Sequence, residues 1–211
     1  VIIVQADSQL ERTSLALALT GRLPLSGGTI SWSKGDDEPR RISMKRLRAL
    51  SSVVDSPDVT APEQHMRVHD YVSEMLSYNL PIFGRSRASR WLAERGLEEL
   101  DGLWMDEISG EMNIELMAAL AKHSPSDLLV FDTPSRHLNH TYMWLPYLEE
   151  LAADEDHPRT VVAVVPHISE SWHGARAVVG RAPEENAPDP VEGEVESSND
   201  SPEHGENAEK E

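Results

Sequence analysis

Short apolar runs alternate with longer amphipathic stretches along most of the chain. Three runs are almost continuously apolar, as expected for strands buried on both faces of a parallel sheet, and they span residues 1–4, 128–131 and 160–165. Weaker strand candidates lie at 29–33, 51–54 and 177–179. The pattern therefore predicts up to six strands, separated from one another along the chain.

Stretches with apolar residues at helical spacing lie between these runs. Leucines and good helix formers fill residues 9–21, and Gly21 followed by Pro24 supplies a stop. Between residues 62 and 95 the spacing i, i+3, i+4 recurs, with a break at 79–84. Further helices are predicted at about 110–122 and 142–153.

The alternation of strands and helices predicts an α/β domain over residues 1–180, with a mostly parallel sheet. We expect a helical insertion near 62–105 and a polar loop at 34–41. Residues 181–211 are rich in Glu, Pro, Asn and Ser and hold 11 acids against 2 bases. Such a composition cannot bury enough apolar surface to offset ordering entropy, so it predicts a disordered acidic tail.

The net charge of the chain limits the classes of molecule that it is expected to bind. The 211 residues include 19 Lys and Arg against 37 Asp and Glu, a net charge of −18. This field repels phosphate, so no nucleic-acid partner is predicted. The absence of cysteine excludes disulfides and thiolate metal sites, and no stretch approaches the length of a membrane span. The chain opens on an apolar run without a basic leader, so we expect it to begin inside a domain.

One segment is strongly basic within this acidic chain. It places five cations within nine residues: Arg40, Arg41, Lys45, Arg46 and Arg48. Each basic residue near an anionic membrane is worth about 1 kcal/mol. The segment is a candidate for attraction to anionic lipid headgroups or for cover by the acidic tail, and the simpler alternative for the tail is a solubilising role.

The order of several motifs resembles that of the ATP-binding cassette (ABC) nucleotide-binding domain. The first strand, followed by Arg12-Thr13-Ser14 near a helix start, is similar to the family's phosphate-loop region. Ile108–Met112 stands where the family's signature motif lies, Leu128–Pro134 resembles its Walker B segment, and Val164–His167 resembles the strand and histidine of its switch loop. The ordered series covers about residues 1–180 and is far more specific than any one motif.

The resemblance implies a P-loop NTPase-like fold with a mostly parallel central sheet and a helical subdomain. It implies ATP and Mg²⁺ as cofactors, with nucleotide contacts from Arg12, Thr13, Ser14 and Asp132 and with Mg²⁺ on Thr13 and Asp132 when ATP binds. The signature residues are Ser109 and Gly110, and Asp55 takes the position of the family's metal- and water-sensing glutamine. The catalytic positions are His167 and Thr133, which replaces the family's glutamate.

Departures from the family pattern are concentrated in the phosphate loop. The aligned segment 6–14 contains no glycine, although glycines let backbone N–H groups approach phosphates. Arg12 keeps the positive charge of the family's lysine but is a planar fork rather than a compact ammonium. Asp7 and Glu11 add carboxylates, each costing on the order of 4 kcal/mol against a phosphate at ~4 Å. These changes predict the loss of ordinary nucleotide affinity.

The other motif positions change in the same direction. Thr133 cannot act as a general base near neutral pH, and Glu111 replaces the second signature glycine with a carboxylate. Simpler interpretations stay open: Asp132 as a turn residue, Ser109 and Gly110 as a helix cap, Arg12 and Thr13 as first-turn helix residues, and His167 as a loop histidine. His123, His137 and His140 lack a carboxylate or cysteine at ligand spacing, so they predict no metal site.

Two functions follow from the resemblance. The favoured one is a degenerate ABC transporter ATP-binding subunit, a regulatory or interaction module with weak or no ATP hydrolysis. The alternative is an active Mg-ATP-hydrolysing subunit that powers a membrane transporter. In either case the family implies a membrane-embedded transporter subunit, a second ABC domain in a homo- or heterodimer, and a cytoplasmic position at the inner face of the membrane. The segment of about 55–78 includes the region where the family contacts the membrane subunit. Core packing explains its helical part, so only the residues around Asn79–Phe83 are good candidates for exposed contact.

Overall fold

Five parallel strands form the central sheet of the computed structural model, which describes residues 1–33, 35, 37–79 and 88–180. The strands of the chain are β1 (Ile2–Gln5), β2 (Ser31–Trp32), β3 (Arg40–Arg41), β4 (Ser51–Val54), β5 (Leu128–Asp132), β6 (Thr160–Val165) and β7 (Ala175–Val178). The sheet order is β4-β5-β6-β1-β7, with every neighbouring pair parallel. The predicted α/β class with a mostly parallel sheet is confirmed.

Six α-helices accompany the strands in the described ranges. They are α1 (Gln9–Leu19), α2 (Met44–Leu50), α3 (Val68–Asn79), α4 (Ala88–Ala93), α5 (Gly110–His123) and α6 (Thr141–Ala152), with 3-10 turns at Glu98–Leu100 and Pro134–Arg136. The helices predicted at 9–21, 110–122 and 142–153 are confirmed to within two residues. The segment 62–105, where a helical insertion is predicted, contains α3, α4 and the first 3-10 turn. None of these helices is long and apolar enough to cross a lipid bilayer.

The prediction of a polar loop over residues 34–41 is wrong for its last two residues. Arg40 and Arg41 form β3, which pairs antiparallel with β2. Both arginines are exposed, so this two-residue strand gives no apolar alternation from which it could be predicted. The strand expected at 29–33 is confirmed only at its centre, as β2. The break predicted at 79–84 and the tail predicted at 181–211 lie almost entirely outside the described residues.

The alternating side chains of β1, β4, β5 and β6 pack into two apolar layers, one on each face of the sheet. Leu129 and Phe131 of β5 join the cluster formed with α3, α4, α5 and α6. Leu128 and Val130 point the other way, into the cluster formed with α1 and α2. Because side chains alternate across a sheet, Asp132 continues the second row and faces α1. Because side chains alternate along β5, the side chain of its last residue lies next to α1.

Helix α2 packs closely on the end of α1. Gly21 follows α1 with a φ of +70°, and a Cβ at this position would lie 2.6 Å from the carbonyl oxygen of Met44. Leu47 of α2 is fully buried in the same apolar cluster as Ala16 of α1. The contact fixes the orientation of α2 on the surface.

Candidate functional site

The carboxyl ends of the strands carry most of the chemistry-bearing residues. In a parallel α/β sheet this edge is where ligands bind. Residues 6–8 connect β1 to α1, Asp55 and Ser56 follow β4, Asp132 ends β5, and His167 follows β6. The parallel register places these positions along one edge of the sheet.

The connection between β1 and α1 is short and is closed by its own side chains. Only three residues separate the strand from the helix. Ser8 caps the helix by accepting a hydrogen bond from the Glu11 backbone N–H at 3.2 Å. The Glu11 carboxylate accepts from the Ser8 backbone N–H at 2.9 Å, a capping box. This bond and the one from the Ser8 hydroxyl lower the pKa of Glu11. A carboxylate of the chain thus occupies the end of α1 where an anion would bind.

Arg12, at the position of the family's lysine, is turned into the protein. Its side chain is buried, with 8% of the residue exposed. One terminal nitrogen donates to the backbone oxygens of Ala6 at 3.1 Å and Asp7 at 2.6 Å. The other donates to Gln9 Oε1 at 3.0 Å, and Nε donates to the Thr133 hydroxyl at 2.9 Å. Four of the five N–H groups of the guanidinium are therefore bound within this loop and its neighbour.

Asp132 is fully buried, and hydrogen bonds surround its carboxylate. Oδ2 accepts from the hydroxyls of Thr13 and Ser56, both at 2.7 Å. Oδ1 accepts from the Thr133 hydroxyl at 2.8 Å and from Gln9 Nε2 at 3.2 Å. An ionised carboxylate offers about four acceptor positions, so this set occupies all of them.

Thr133 joins the two charged groups. Its hydroxyl accepts from Arg12 Nε and donates to Asp132 Oδ1. Its backbone is left-handed, with a φ of +57°, which is uncommon for a β-branched residue. The backbone N–H of Thr133 donates to Val164 O at 2.8 Å and so anchors this conformation. We call Gln9, Arg12, Thr13, Asp132 and Thr133, together with Ser56, the Asp132 network.

The Asp132 network does not fit a nucleoside triphosphate with Mg²⁺. Thr13 and Asp132 supply the hydroxyl and carboxylate oxygens that Mg²⁺ prefers. However, the acceptor positions of Asp132 are already used, and the guanidinium of Arg12 faces backbone carbonyls instead of solvent. A phosphate would also meet the Glu11 carboxylate at the start of α1. The two predicted Mg²⁺ ligands, Thr13 and Asp132, are in contact, but the hydroxyl of Thr13 donates its hydrogen bond to the carboxylate of Asp132.

Asp55, which the resemblance places at the position of the family's glutamine, is buried and belongs to a second, partly exposed cluster. Its carboxylate pairs with the Arg136 guanidinium through Oδ1 and with His137 Nε2 through Oδ2, the latter at 2.6 Å. Arg136 also donates to the backbone oxygen of Asp55 at 2.9 Å. The sequence did not point to Arg136, because 81 residues separate the partners and no periodicity links them. In the described residues, no set of three His, Cys, Asp or Glu groups suited to a metal forms here or elsewhere.

The signature position forms a helix cap and a close backbone contact. Ser109 caps α5 by accepting from the Met112 N–H at 3.2 Å. A Cβ on Gly110 would lie 2.2 Å from the backbone oxygen of His137. The absence of a side chain at Gly110 therefore allows α5 to approach His137, which is hydrogen-bonded to Asp55. Glu111 is exposed in the first turn, where an acidic side chain suits the helix dipole.

Besides Asp55, Ser109 and Gly110, two more predicted site residues stay apart from the Asp132 network. His167 is exposed after β6, and within the described residues its side chain forms no hydrogen bond or ion pair. Ser14 lies half-buried in α1, and its hydroxyl likewise has no described partner. The structure thus gathers four of the predicted residues, Arg12, Thr13, Asp132 and Thr133, and leaves these two outside.

A groove lies beside the edge strand β4, between the segment that follows it and helices α3 and α5. Its volume is about 850 Å³. Apolar lining comes from Val59, Met66, Met75, Tyr71 and Trp104. Burial raises the pKa of Tyr71, whose hydroxyl donates to Thr60 O at 3.1 Å. The groove coincides with most of the segment 55–78 that the sequence singled out for contact with a partner; Leu80, Ile82 and Phe83 lie outside the described residues.

Comparison with known proteins bears on the fold. No family model matches the chain, and no curated protein matches its sequence. A protein described as an ABC transporter ATP-binding protein from Pyrococcus furiosus is similar in structure, with a TM-score of 0.57 at 12% identity over 84% of this chain and 82% of that one. The ATP-binding cassette MJ1267, in its ADP conformation, gives 0.54 at 15% identity over 80% and 71%.

A third similar structure is an inward-facing ABC transporter described as of the metal-chelate type. The TM-score is 0.50 at 17% identity, over 79% of this chain and 62% of that one. At such identities the likeness concerns the fold. The chain therefore has the fold of ABC transporter ATP-binding domains.

Proposed function

We propose that the chain is a degenerate ATP-binding subunit of an ABC transporter, which serves as a regulatory or interaction module with weak or no ATP hydrolysis. One observation carries the proposal: Arg12, at the phosphate-binding position, is buried and bound to the Ala6 and Asp7 carbonyls and to Thr133. A phosphate ligand would need the same N–H groups. Binding it would first break these bonds in a buried site.

The alternative is an active Mg-ATP-hydrolysing subunit. That reaction requires a base or an orienting group for the attacking water, and Thr133 supplies only a hydroxyl already bound to Asp132. It also requires anion binding at the start of α1, where Glu11 lies. Each requirement meets a separate obstacle, so the degenerate subunit is the better supported function.

Calorimetric titration of the full chain with Mg-ATP is expected to show no saturable binding up to about 1 mM. A ligand at 100 times its Kd stabilises a protein by about 2.7 kcal/mol. For a domain of this size, that corresponds to a rise in Tm of about 5–10 °C. We therefore expect the Tm to be unchanged by Mg-ATP or Mg-ADP. Micromolar binding with a matching rise in Tm would overturn the proposal and favour the active subunit.

The proposed partners are a membrane-embedded transporter subunit and a second ABC domain, at the cytoplasmic face of a membrane. The groove beside β4 supports the first of these. It combines exposed apolar side chains, Val59 and Tyr78, with a volume suited to part of a helix from another protein. An interaction module needs such a surface, whether or not the chain hydrolyses ATP.

A photo-crosslinking residue in place of Tyr78 is expected to capture an integral membrane protein in cells. Tyr78 lines the groove and is 72% exposed. Tyr142 of α6 is equally exposed at 72% but does not line the groove, so it provides a matched control. The adduct from position 78 is to be identified by mass spectrometry. Equal capture from both positions, or capture only of soluble proteins, would contradict docking in the groove.

A further inference from the structure

Five cations within nine residues lie on β3 and α2. We define the basic surface as Arg40, Arg41, Lys45, Arg46 and Arg48. All five residues are exposed. No acidic residue lies between the first and the last of them. The chain as a whole has a net charge of −18, so this surface opposes the general field of the protein.

The fold directs these cations outward together. Helix α2 turns the fully buried Leu47 inward, with Met44 and Leu50 partly buried beside it. Its remaining positions are exposed and consist of three cations and Ala49. The close contact at Gly21 holds this helix against the end of α1. The solvent-facing side of α2 is therefore cationic along its whole length.

The basic surface is not neutralised by neighbouring groups. None of its five side chains forms an ion pair or hydrogen bond with the described part of the chain, although Asp37 and Glu38 lie just before it. Some cations elsewhere do have carboxylate partners; Arg90 pairs with Glu94, for example, and Lys122 with Glu150. In so acidic a chain, five unpaired cations in one place indicate charge directed at something outside the fold.

Arg48 lies in the last turn of α2, where positive charge suits the helix dipole, but the other two cations of this helix do not help the fold. Lys45 and Arg46 lie in the first turn of α2, where the helix dipole disfavours positive charge. The pKa of nearby Arg22 is lowered, first by burial and then by the charge of Arg48. These unfavourable contacts argue against a stabilising role and for a binding role.

Apolar groups adjoin the cations. A shallow trough of about 590 Å³ lies beside the basic surface and is lined by Leu25, Ile30, Ile42 and Met44, with Arg41 among the same lining residues. Leu23 and Leu25 are both exposed. Cations next to exposed leucines are the combination found on proteins that lie at the interface of an anionic bilayer.

We propose that the basic surface binds the surface of an anionic lipid bilayer. The cations approach the headgroup phosphates, while Leu23 and Leu25 lie toward the acyl boundary. The attraction acts over about one Debye length, ~8 Å at physiological salt, so it is local and persists despite the acidic charge elsewhere. This inference does not depend on the state of the nucleotide site or on the groove beside β4.

Partition of the full chain onto lipid vesicles tests the proposal. Wild-type chain is expected to sediment with vesicles of phosphatidylcholine containing about 40% phosphatidylglycerol at low salt, and not with pure phosphatidylcholine. The variant Lys45→Gln, Arg46→Gln, Arg48→Gln is expected to partition about 100-fold less, from about 1 kcal/mol for each cation. A control with Arg90→Gln, Lys122→Gln and Arg176→Gln removes the same net charge elsewhere and is expected to change partition by less than about threefold.

Several results would overturn the proposal. Equal partition on anionic and neutral vesicles would show that charge is not responsible. An equal loss in the control variant would show that only net charge matters. If the basic-surface variant binds vesicles like the wild type but loses an acidic protein partner, the surface is a protein-binding site. Circular dichroism of each variant separates loss of binding from loss of fold, and calorimetry with Mg-ATP independently tests the proposed function.

Discussion

Replacement of Arg12 with alanine lowers the free energy of unfolding by about 4 kcal/mol, as we expect from its burial and its bonds. The substitution removes the donor from the buried carbonyl of Ala6 and from the partly buried carbonyl of Asp7. It also removes the only described cation bound to the Asp132 network, and breaking a buried charged network costs about 3–5 kcal/mol. Urea unfolding followed by circular dichroism measures the change, and the midpoint should shift without loss of cooperativity.

Two further variants show whether this cost is specific. Arg46→Ala removes an exposed cation and is expected to stay within about 0.5 kcal/mol of the wild type. Arg12→Lys keeps the charge but lacks the fork that reaches both carbonyls and Thr133, so about 2 kcal/mol of the loss should remain. A cost near zero for Arg12→Ala would mean that the side chain is free to bind a phosphate, contrary to the structure.

Replacement of Gly110 with alanine is the second large effect, a loss of about 3 kcal/mol. The new Cβ would lie 2.2 Å from the backbone oxygen of His137, a distance that real contacts do not reach. Backbone cannot move aside as a flexible side chain can, so α5 or the segment at His137 must shift. Since His137 is hydrogen-bonded to Asp55, the shift should also weaken that partly buried contact. Urea unfolding gives the loss of stability.

Matched controls distinguish the close contact from a general glycine effect. Gly102→Ala has open space around its Cβ and ordinary backbone geometry, so it should be within about 0.5 kcal/mol of the wild type. Ser109→Ala removes the cap of α5 and is expected to cost about 1 kcal/mol. If Gly110→Ala costs no more than Gly102→Ala, the approach of α5 to His137 is looser than described.

The sheet could be predicted from the sequence because its information is local. Residues 128–131 and 160–165 are apolar at consecutive positions, and a strand buried on both faces needs that pattern. Helix α2 was not predicted, since its seven residues bury only Leu47 and otherwise look like a charged loop. The two-residue strand β3 gives even less local signal. Its existence depends on pairing with β2, in which Trp32 lies opposite Arg40 and Ser31 opposite Arg41.

The membership of the site was predictable in part, since Gln9 and Ser56 were not predicted and Ser14 lies outside it, and its arrangement was not predictable. The order of motifs predicts that Arg12, Thr13, Asp132 and Thr133 share one site, and the structure places them in contact. Arg12 turns inward because the short connection between β1 and α1 places the Ala6 and Asp7 carbonyls within its reach. This geometry is not visible in the sequence. The partnership of Asp55 with Arg136 also depends on tertiary geometry, because left-handed backbone at Asp55 directs its carboxylate across the sheet edge.

The double role of Thr133 has an evolutionary consequence. If the Asp132 network replaced a catalytic site, a single reverse substitution could not restore it. Thr133→Glu would remove the hydroxyl shared by Arg12 and Asp132 and add a carboxylate beside one that is already buried. Residues in one network change stability non-additively, so the cost of Thr133→Glu is not the sum of the separate bonds that it removes. Position 133 is therefore expected to accept a glutamate only when its hydrogen-bond partners Arg12 and Asp132 are changed with it.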